Sequence, residues 1–481
     1  MLGFWLIHPT IYKSTSNNLD SMNQTAVSPH IFRAYDIRGI YNEDIDPTLF
    51  YKIGLAAGTY LQKNLKGKTM TAGADIRCSS PTLLHSFVSG VLATGANITM
   101  TGITSFGQTL FNGCKQNDDL ISFVTASHLP AEWNGIKFYY GDGVGLPTEE
   151  LNKIRDNVLD DSFELKGFDG IGQIRSVEPT QPYIDFFKDH FSYSKKLNVA
   201  VDCGGASMTL SAPHVMKALG VDVSEVFCTP NPLFSDRPSE PKPDNLSALI
   251  DTISRDGCDF GVAFDGDGDR SVIIDDRGVA LSSDETGILL GKYGFSKHEG
   301  VVIVNVECSK AVSEQLTPLG FSVKQIPVGH THLTLHAKKE CSPLGIESSG
   351  HLILPNYFLF DDALIVPLKI AEILDESEQS LSELRRDIPI YPLSKKEIKC
   401  PDDLKFEVIE KLKVQLQKEY DDVNTMDGIR VNEEQGWSLI RASNTSPIIR
   451  VTTEADDKIS LEQISSHFVE LTQKLVESMQ D

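Results

Sequence analysis

Paired cysteines are missing from this chain. The eight it has, at positions 78, 114, 203, 228, 258, 308, 341 and 400, form no CxxC and no regular spacing. That scatter predicts core thiols of a reducing compartment, with no disulfides and no zinc. Positive charge is scarce as well: 44 Lys and Arg stand against 67 Asp and Glu, a formal net charge of −23. Such a balance argues against nucleic acid as a partner, so any phosphate site must be local. No apolar run reaches membrane-spanning length, and the opening LGFWLI lacks the basic leader of a signal peptide. A cytoplasmic protein away from the membrane, either monomer or homodimer, is expected. Low-complexity tracts are also lacking. Residues 14–28 are polar and aperiodic, and Met22 offers a second start, so residues 1–28 are expected to be a disordered extension.

What is present is a globular composition, 40% apolar and 23% charged over 481 residues, enough for three or four domains. Three stretches share one plan of apolar strand, acidic or amide residue at its end, and amphipathic helix closing on glycine. TMTAGADIR leads to Gly95, LNVAVDCGGA to Gly220 and VVIVNVECSK to Gly320. They predict three αβ units with parallel strands and crossover helices, whose sites collect at the carboxyl ends of the strands. Past residue 386 the pattern changes. RDIPIYPLSKKEIKCP reads as a linker, and strands with two helices follow it. The last helix carries a core stripe of Leu461, Ile464, Phe468, Leu471 and Leu475.

Between the apolar stretches FGVAF and SVII lie Asp265, Asp267 and Asp269, separated by Gly266 and Gly268 and followed by Arg270. Three carboxylates this close repel unless a cation sits among them, and the glycines let the backbone aim all three inward. An EF-hand loop does not fit, because its glycine and glutamate positions hold Arg270 and Asp276. An aspartate-nucleophile phosphatase does not fit either, since Asp269 stands where a hydroxyl residue belongs.

TASHLPAEWNGIKFYY, residues 125–140, follows the apolar run LISFV and sets Ser127 and His128 in a loop closed by Pro130. Asn134 and Gly135 predict a turn that brings Lys137 back toward the serine. Farther on, RASNTSPIIR groups Arg441, Ser443, Asn444, Thr445 and Arg450 around Pro447, donors suited to a dianionic phosphate.

Taken together, these segments resemble the α-D-phosphohexomutases, and within them the phosphomannomutase/phosphoglucomutase branch, from about residue 30 to the end. TASHLP is similar to the family's phosphoserine loop and FDGDGDR to its metal loop. ESSGH is similar to its sugar-binding loop, RASNTSPIIR to its phosphate loop and FRAYDIRGI to its opening motif, with GADIRCSSP and EPKPDNL agreeing more weakly.

The resemblance implies three related αβ domains with mixed sheets plus a C-terminal α+β domain, arranged around a central cleft. The expected divisions are residues 29–172, 173–279, 280–388 and 389–481. It implies a hexose 6-phosphate/1-phosphate mutase acting on mannose or glucose, with Ser127 as phosphoryl carrier, a 1,6-bisphosphate intermediate and activator, and magnesium on Ser127, Asp265, Asp267 and Asp269. Lys137 or His351 would be the general base, His128 would orient the phosphoserine, and Arg270 would balance charge. Tyr35 and Arg38 would lie beside the serine, Glu347 and Ser349 on sugar hydroxyls, and Arg441, Ser443, Asn444, Thr445 and Arg450 on phosphate. His330, in VGHTH, is either a substrate residue or a surface histidine.

SNTSP in place of the glucosamine branch's SGTEP favours mannose and glucose phosphates. One departure stands out: Glu307 occupies a segment where the branch can carry lysine, with Lys310 three residues on. Phosphoglucosamine mutase, a silent sugar-phosphate sensor and a phosphatase are the alternatives.

Overall fold

The computed structural model describes residues 27–443 and 447–480. The expected extension lies outside the described residues up to position 26, as do Asn444 and Thr445.

Strands β1 (Asp36–Ile40), β2 (Thr69–Ala74), β3 (Asn97–Ile103), β4 (Leu120–Val124), β5 (Trp133–Tyr140) and β6 (Ile174–Ser176) form the first sheet, in the order β1-β5-β4-β2-β3-β6. The second holds β7 (Asn198–Asp202), β8 (Asp222–Val226), β9 (Phe260–Phe264) and β10 (Ser271–Asp275), ordered β10-β9-β7-β8. The third holds β11 (Val301–Asn305), β12 (Ser322–Ile326), β13 (Gly345–Ile346) and β14 (Leu352–Ile353), ordered β12-β11-β13-β14.

One four-strand plan recurs in all three. Its first strand pairs in parallel with the second and third, and its fourth returns antiparallel beside the third. Helices Ser80–Ala93, Ala212–Ala218 and Lys310–Leu316 make the first crossover of each unit, and each is followed by the expected glycine. The link between third and fourth strands is residues 125–132 in the first unit, 265–270 in the second and 347–351 in the third. The three motif-bearing segments therefore occupy the same position in three copies of one plan.

The fourth sheet is antiparallel throughout. Its strands are β15 (Leu393–Lys399), β16 (Val423–Asn424), β17 (Ile429–Glu433), β18 (Gly436–Ala442) and β19 (Ile448–Ala455), ordered β15-β19-β18-β17-β16. Part of the segment read as a linker is thus β15: its Lys residues suit an edge strand, which pairs with β19 alone, and Pro392 and Pro401 lie just outside its two ends. Helices Lys405–Glu419 and Lys458–Gln480 cover this sheet, and the stripe from Leu461 to Leu475 packs into its core with Ile398, Leu412 and Ile440.

A second core runs unbroken through the first three units and includes Phe106, Tyr139, Val201, Phe260, Val302 and Phe360. Burying one such phenylalanine contributes roughly 1.5–3 kcal/mol, so these units are fused by packing as well as by sequence. The cysteines are all free, and Cys78 and Cys341 are exposed rather than in a core. Among the described residues no helix is long and apolar enough to cross a membrane.

Candidate active site

The loop after β4 is held by a residue far from it in sequence. Asp75, directly after β2, accepts from Arg77 Nε at 2.9 Å, and both side chains are fully buried. The guanidinium then donates to the backbone carbonyls of Ser127 at 2.8 Å, Leu129 at 2.7 Å and Trp133 at 3.1 Å, and also to Pro130 O. Thr125 Oγ1 accepts from Ser127 N at 2.8 Å. These bonds fix Ser127 at φ 52°, a left-handed conformation that costs a non-glycine residue roughly 1–2 kcal/mol. Its hydroxyl is aimed into the junction of the first two units.

There it meets the aspartate loop. Ser127 Oγ lies 3.1 Å from Asp265 Oδ2 and 3.3 Å from Arg270 Nη2. Gly266 permits this approach, because a Cβ at that position would stand 2.3 Å from the Ser127 carbonyl oxygen. Lys137 Nζ pairs with Asp267 at 3.0 Å and also with Asp269. It arrives by strand pairing rather than by the expected turn: Asn134 and Gly135 lie within β5, where Lys137 pairs with Phe123 of β4.

Electrostatics at this junction are unbalanced. Burial and mutual repulsion raise Asp265, and burial with Asp269 raises Asp267. At Asp269 burial acts in the same sense, but Lys137, His351 and Arg270 outweigh it and hold the carboxyl well below the usual carboxylate range. Asp267 Oδ1 and Asp269 Oδ1 are buried with no hydrogen-bond partner, and ligand atoms of all three aspartates fall within 4.8 Å of one another. Orphaned carboxylate oxygens converging in this way fit a divalent cation with oxygen ligands.

His128 Nδ1 is 3.4 Å from Ser127 Oγ. Burial, reinforced by the charges of Arg270 and Arg38, pushes His128 down to about 2, so the ring is neutral. Arg38 pairs with Asp36 at 2.6 Å, while Tyr35 turns to the third unit and donates to Val328 O at 3.1 Å. His330 begins a helix beside Tyr35, their ring centroids 5.9 Å apart. It is buried rather than on the surface, and burial pushes it down to about 4.

In the third unit Ser349 Oγ donates to Glu347 Oε1 at 2.9 Å, and Ser349 O lies 3.4 Å from Arg270 Nη1. His351 Nδ1 meets Asp361 Oδ2 at 2.5 Å. Burial opposes a charge on His351, but Asp269 and Asp361 prevail and raise it to about 9. From the fourth domain Arg441 reaches Asp427 at 3.2 Å and Glu307 at 3.6 Å. Ser443 is buried, its N–H on Ile448 O at 3.0 Å, and the half-exposed Arg450 pairs with Glu397 at 3.3 Å. Lys310 is directed away, to Asp456 and the Tyr391 ring.

Tyr35, Arg38, His128, Gly329, Arg441 and Arg450 line one cavity of about 500 Å³. Arg77, Asp361 and Asp427 escaped the sequence reading. The run ADIR ends on Arg77 and FDDAL contains Asp361, but neither string distinguishes a clamp from a surface charge.

A fold of this plan, with its chemistry gathered on three equivalent loops, is that of a hexose-phosphate mutase, an intramolecular phosphotransferase. The chain belongs to the phosphoglucomutase/phosphomannomutase family. The family's alpha/beta/alpha domains I, II and III match residues 29–165, 181–278 and 282–391, and its C-terminal domain matches 397–471. A probable phosphoglucosamine mutase of Methanopyrus kandleri is 31% identical over 456 residues, covering 94% of this chain and 99% of the relative. A phosphoglucomutase/phosphomannomutase of Thermococcus kodakarensis is 30% identical over 453 residues, covering 93% and 98%. A solved phosphoglucomutase/phosphomannomutase family protein from Burkholderia thailandensis superposes with a TM-score of 0.86 at 25% identity, covering 93% of this chain and 98% of that one.

Proposed function

We propose that this enzyme interconverts hexose 6-phosphates and hexose 1-phosphates through phosphoserine 127 and a bound 1,6-bisphosphate, acting in the cytoplasm on small phosphosugars. The observation that carries this reading is Ser127 Oγ, buried 3.1 Å from Asp265 and 3.3 Å from Arg270 at the meeting of three domain loops. In the first transfer the phosphoserine P–O bond breaks as the free sugar hydroxyl forms a new P–O bond. The hydroxyl proton passes to a base, and a proton is returned to the departing serine oxygen, which is left as its hydroxyl. The bisphosphate then reorients, and the reverse transfer from its other end restores the phosphoserine.

The chain's own residues serve both half-reactions with one geometry. Arg77 holds the loop, neutral His128 orients the serine, and Arg270 offsets phosphoryl charge. Glu347 and Ser349 would take sugar hydroxyls. Arg441, with Ser443 and Arg450, would take the phosphate that is not reacting. Lys137 and His351 remain the two candidate bases, and each must first shed the proton that neighbouring carboxylates hold on it: against the effect of burial, Asp267 and Asp269 raise Lys137, and Asp269 and Asp361 raise His351. Magnesium on Ser127, Asp265, Asp267 and Asp269 would supply charge neutralisation at the transferring phosphoryl group. The proposed domain divisions near 172, 279 and 388 keep each repeat intact, though β6 adds residues 174–176 to the first sheet.

For the sugar, SNTSP favours mannose and glucose. A second reading, glucosamine phosphate, is favoured by the curated relative from Methanopyrus kandleri and by Glu307. Phosphorus NMR on mannose 1-phosphate and glucose 1-phosphate, with magnesium and catalytic glucose 1,6-bisphosphate, tests the reaction. Conversion that Ser127→Ala abolishes supports the phosphoserine; conversion that survives Ser127→Ala removes it.

A further inference from the structure

Glu307 and Arg441 face each other where the third and fourth domains meet, Oε1 to Nη2 at 3.6 Å. Glu307 follows β11 by two residues, its N–H held by Asn305 Oδ1 at 3.1 Å, and its Oε2 accepts from Ser348 Oγ at 3.3 Å. A single carboxylate therefore touches both the loop proposed to hold the sugar and the arginine proposed to hold the phosphate. Close by is another: Glu347 is 4% exposed and its Oε2 has no hydrogen-bond partner. Glu307 and Glu347 repel one another, and Glu347, Asp427 and Arg441 all act on the hydroxyl of Tyr35 at the cavity wall. Tyr35 and Arg441 both line the cavity of about 500 Å³, and these carboxylates act on it from behind that wall.

That space is poorly matched to a ligand that is only an anion. Arg441 already shares its charge between Glu307 and Asp427, so an incoming phosphate meets two carboxylates along with the arginine. A neutral sugar hydroxyl returns nothing for that repulsion. An ammonium does: it offsets the carboxylate charge and donates a charge-assisted hydrogen bond, which is about twice as strong as a neutral one. The orphaned Glu347 oxygen and the Glu307 carboxylate are both acceptors for it.

We infer that Glu307 is a specificity-determining residue that favours amino-hexose phosphates over neutral hexose phosphates. This rests on the phosphohexomutase reading above and deepens it. The contrast with lysine is informative in sign, because a lysine at position 307 would repel the ammonium and attract the phosphate.

The test compares kcat/KM for glucosamine 1-phosphate and glucose 1-phosphate on the full-length phosphorylated enzyme, as wild type, Glu307→Gln, Glu307→Asp and Glu307→Lys. The expected result is a glucosamine-to-glucose ratio that falls about tenfold in Glu307→Gln, in line with one charge-assisted hydrogen bond made neutral. It falls further in Glu307→Lys and is largely kept in Glu307→Asp. In the wild type alone, the ratio should decline as pH rises and the amine loses its proton. An equal fall for both sugars in Glu307→Gln, or an unmoved ratio, overturns the inference and leaves the mutase standing. Turnover of neither sugar by the wild type removes the mutase reading, and the inference with it. Should the variants not fold, a pH-independent wild-type ratio overturns the inference by itself.

Discussion

Lys137 Nζ sits 3.0 Å from Asp267 Oδ2, although Lys137 is on β5 of the first sheet and Asp267 is in the loop between β9 and β10, 130 positions away. One ammonium, shared with Asp269, is the nearest compensation for the aspartate loop, and it comes from the domain that also carries Ser127. Removing it exposes how much of the junction depends on a cation.

Lys137→Met should destabilise the magnesium-free protein by about 3–5 kcal/mol, the cost of leaving buried carboxylates without a partner. Urea unfolding measures this. A loss below about 1 kcal/mol would mean that the aspartates are simply protonated in the free protein.

Magnesium should raise the unfolding temperature of the wild type, with a stabilisation of about 2.7 kcal/mol at a hundredfold excess over Kd. Asp267→Asn should lose most of that gain. Because Asp265 and Asp267 are raised by burial and by neighbouring carboxylates, protons compete with the metal, so affinity should weaken as pH falls. Calorimetric titration at two pH values reads both effects.

Arg77→Met removes a guanidinium that holds the carbonyls of Ser127, Leu129 and Trp133. It leaves Asp75 buried without its cation, held only by the hydroxyls of Ser80 and Thr125 and a backbone N–H, a loss of about 3–5 kcal/mol. Arg77→Lys should not restore activity, since an ammonium cannot reproduce the planar fork that spans these acceptors. Thermal unfolding and turnover, measured on both variants, separate the two effects.

His351 provides a pH signature. Its folded value, about 9, lies above the ordinary 6.5, so the protonated ring stabilises the fold below about 6.5 and that contribution is lost as pH rises through 9. Asp361→Asn should lower the titration and flatten stability across this window. Histidine NMR and unfolding temperature from pH 6 to 10 would show it; an unchanged titration would leave Asp269 as the dominant partner.

The aspartate loop and Ser127 were legible because their chemistry is local: alternating Asp and Gly, or a Ser-His pair after an apolar strand, is visible within a few residues. Arg77 was not, because its meaning lies in carbonyls some 50 positions away. Asn134-Gly135 misled for a physical reason. The pair favours turns in isolation, but here it is flanked by β1 and β4 on both sides, and Gly135 serves the sheet, where a Cβ would stand 2.1 Å from Ile37 O. The repeated αβ plan was readable from its strand and helix periodicity. The shared strand order was not, since pairing across a sheet leaves no mark on any single segment.

Three loops at one position in three copies of one plan have a mechanical consequence. Their mutual distances are set by how whole domains dock, because each loop is rigidly seated on its own pair of strands. A rotation of one domain would carry its loop as a unit, without reshaping it. Assembly of the site is then a collective event: no loop approaches its working position alone, and a small tilt at a domain seam breaks several contacts together.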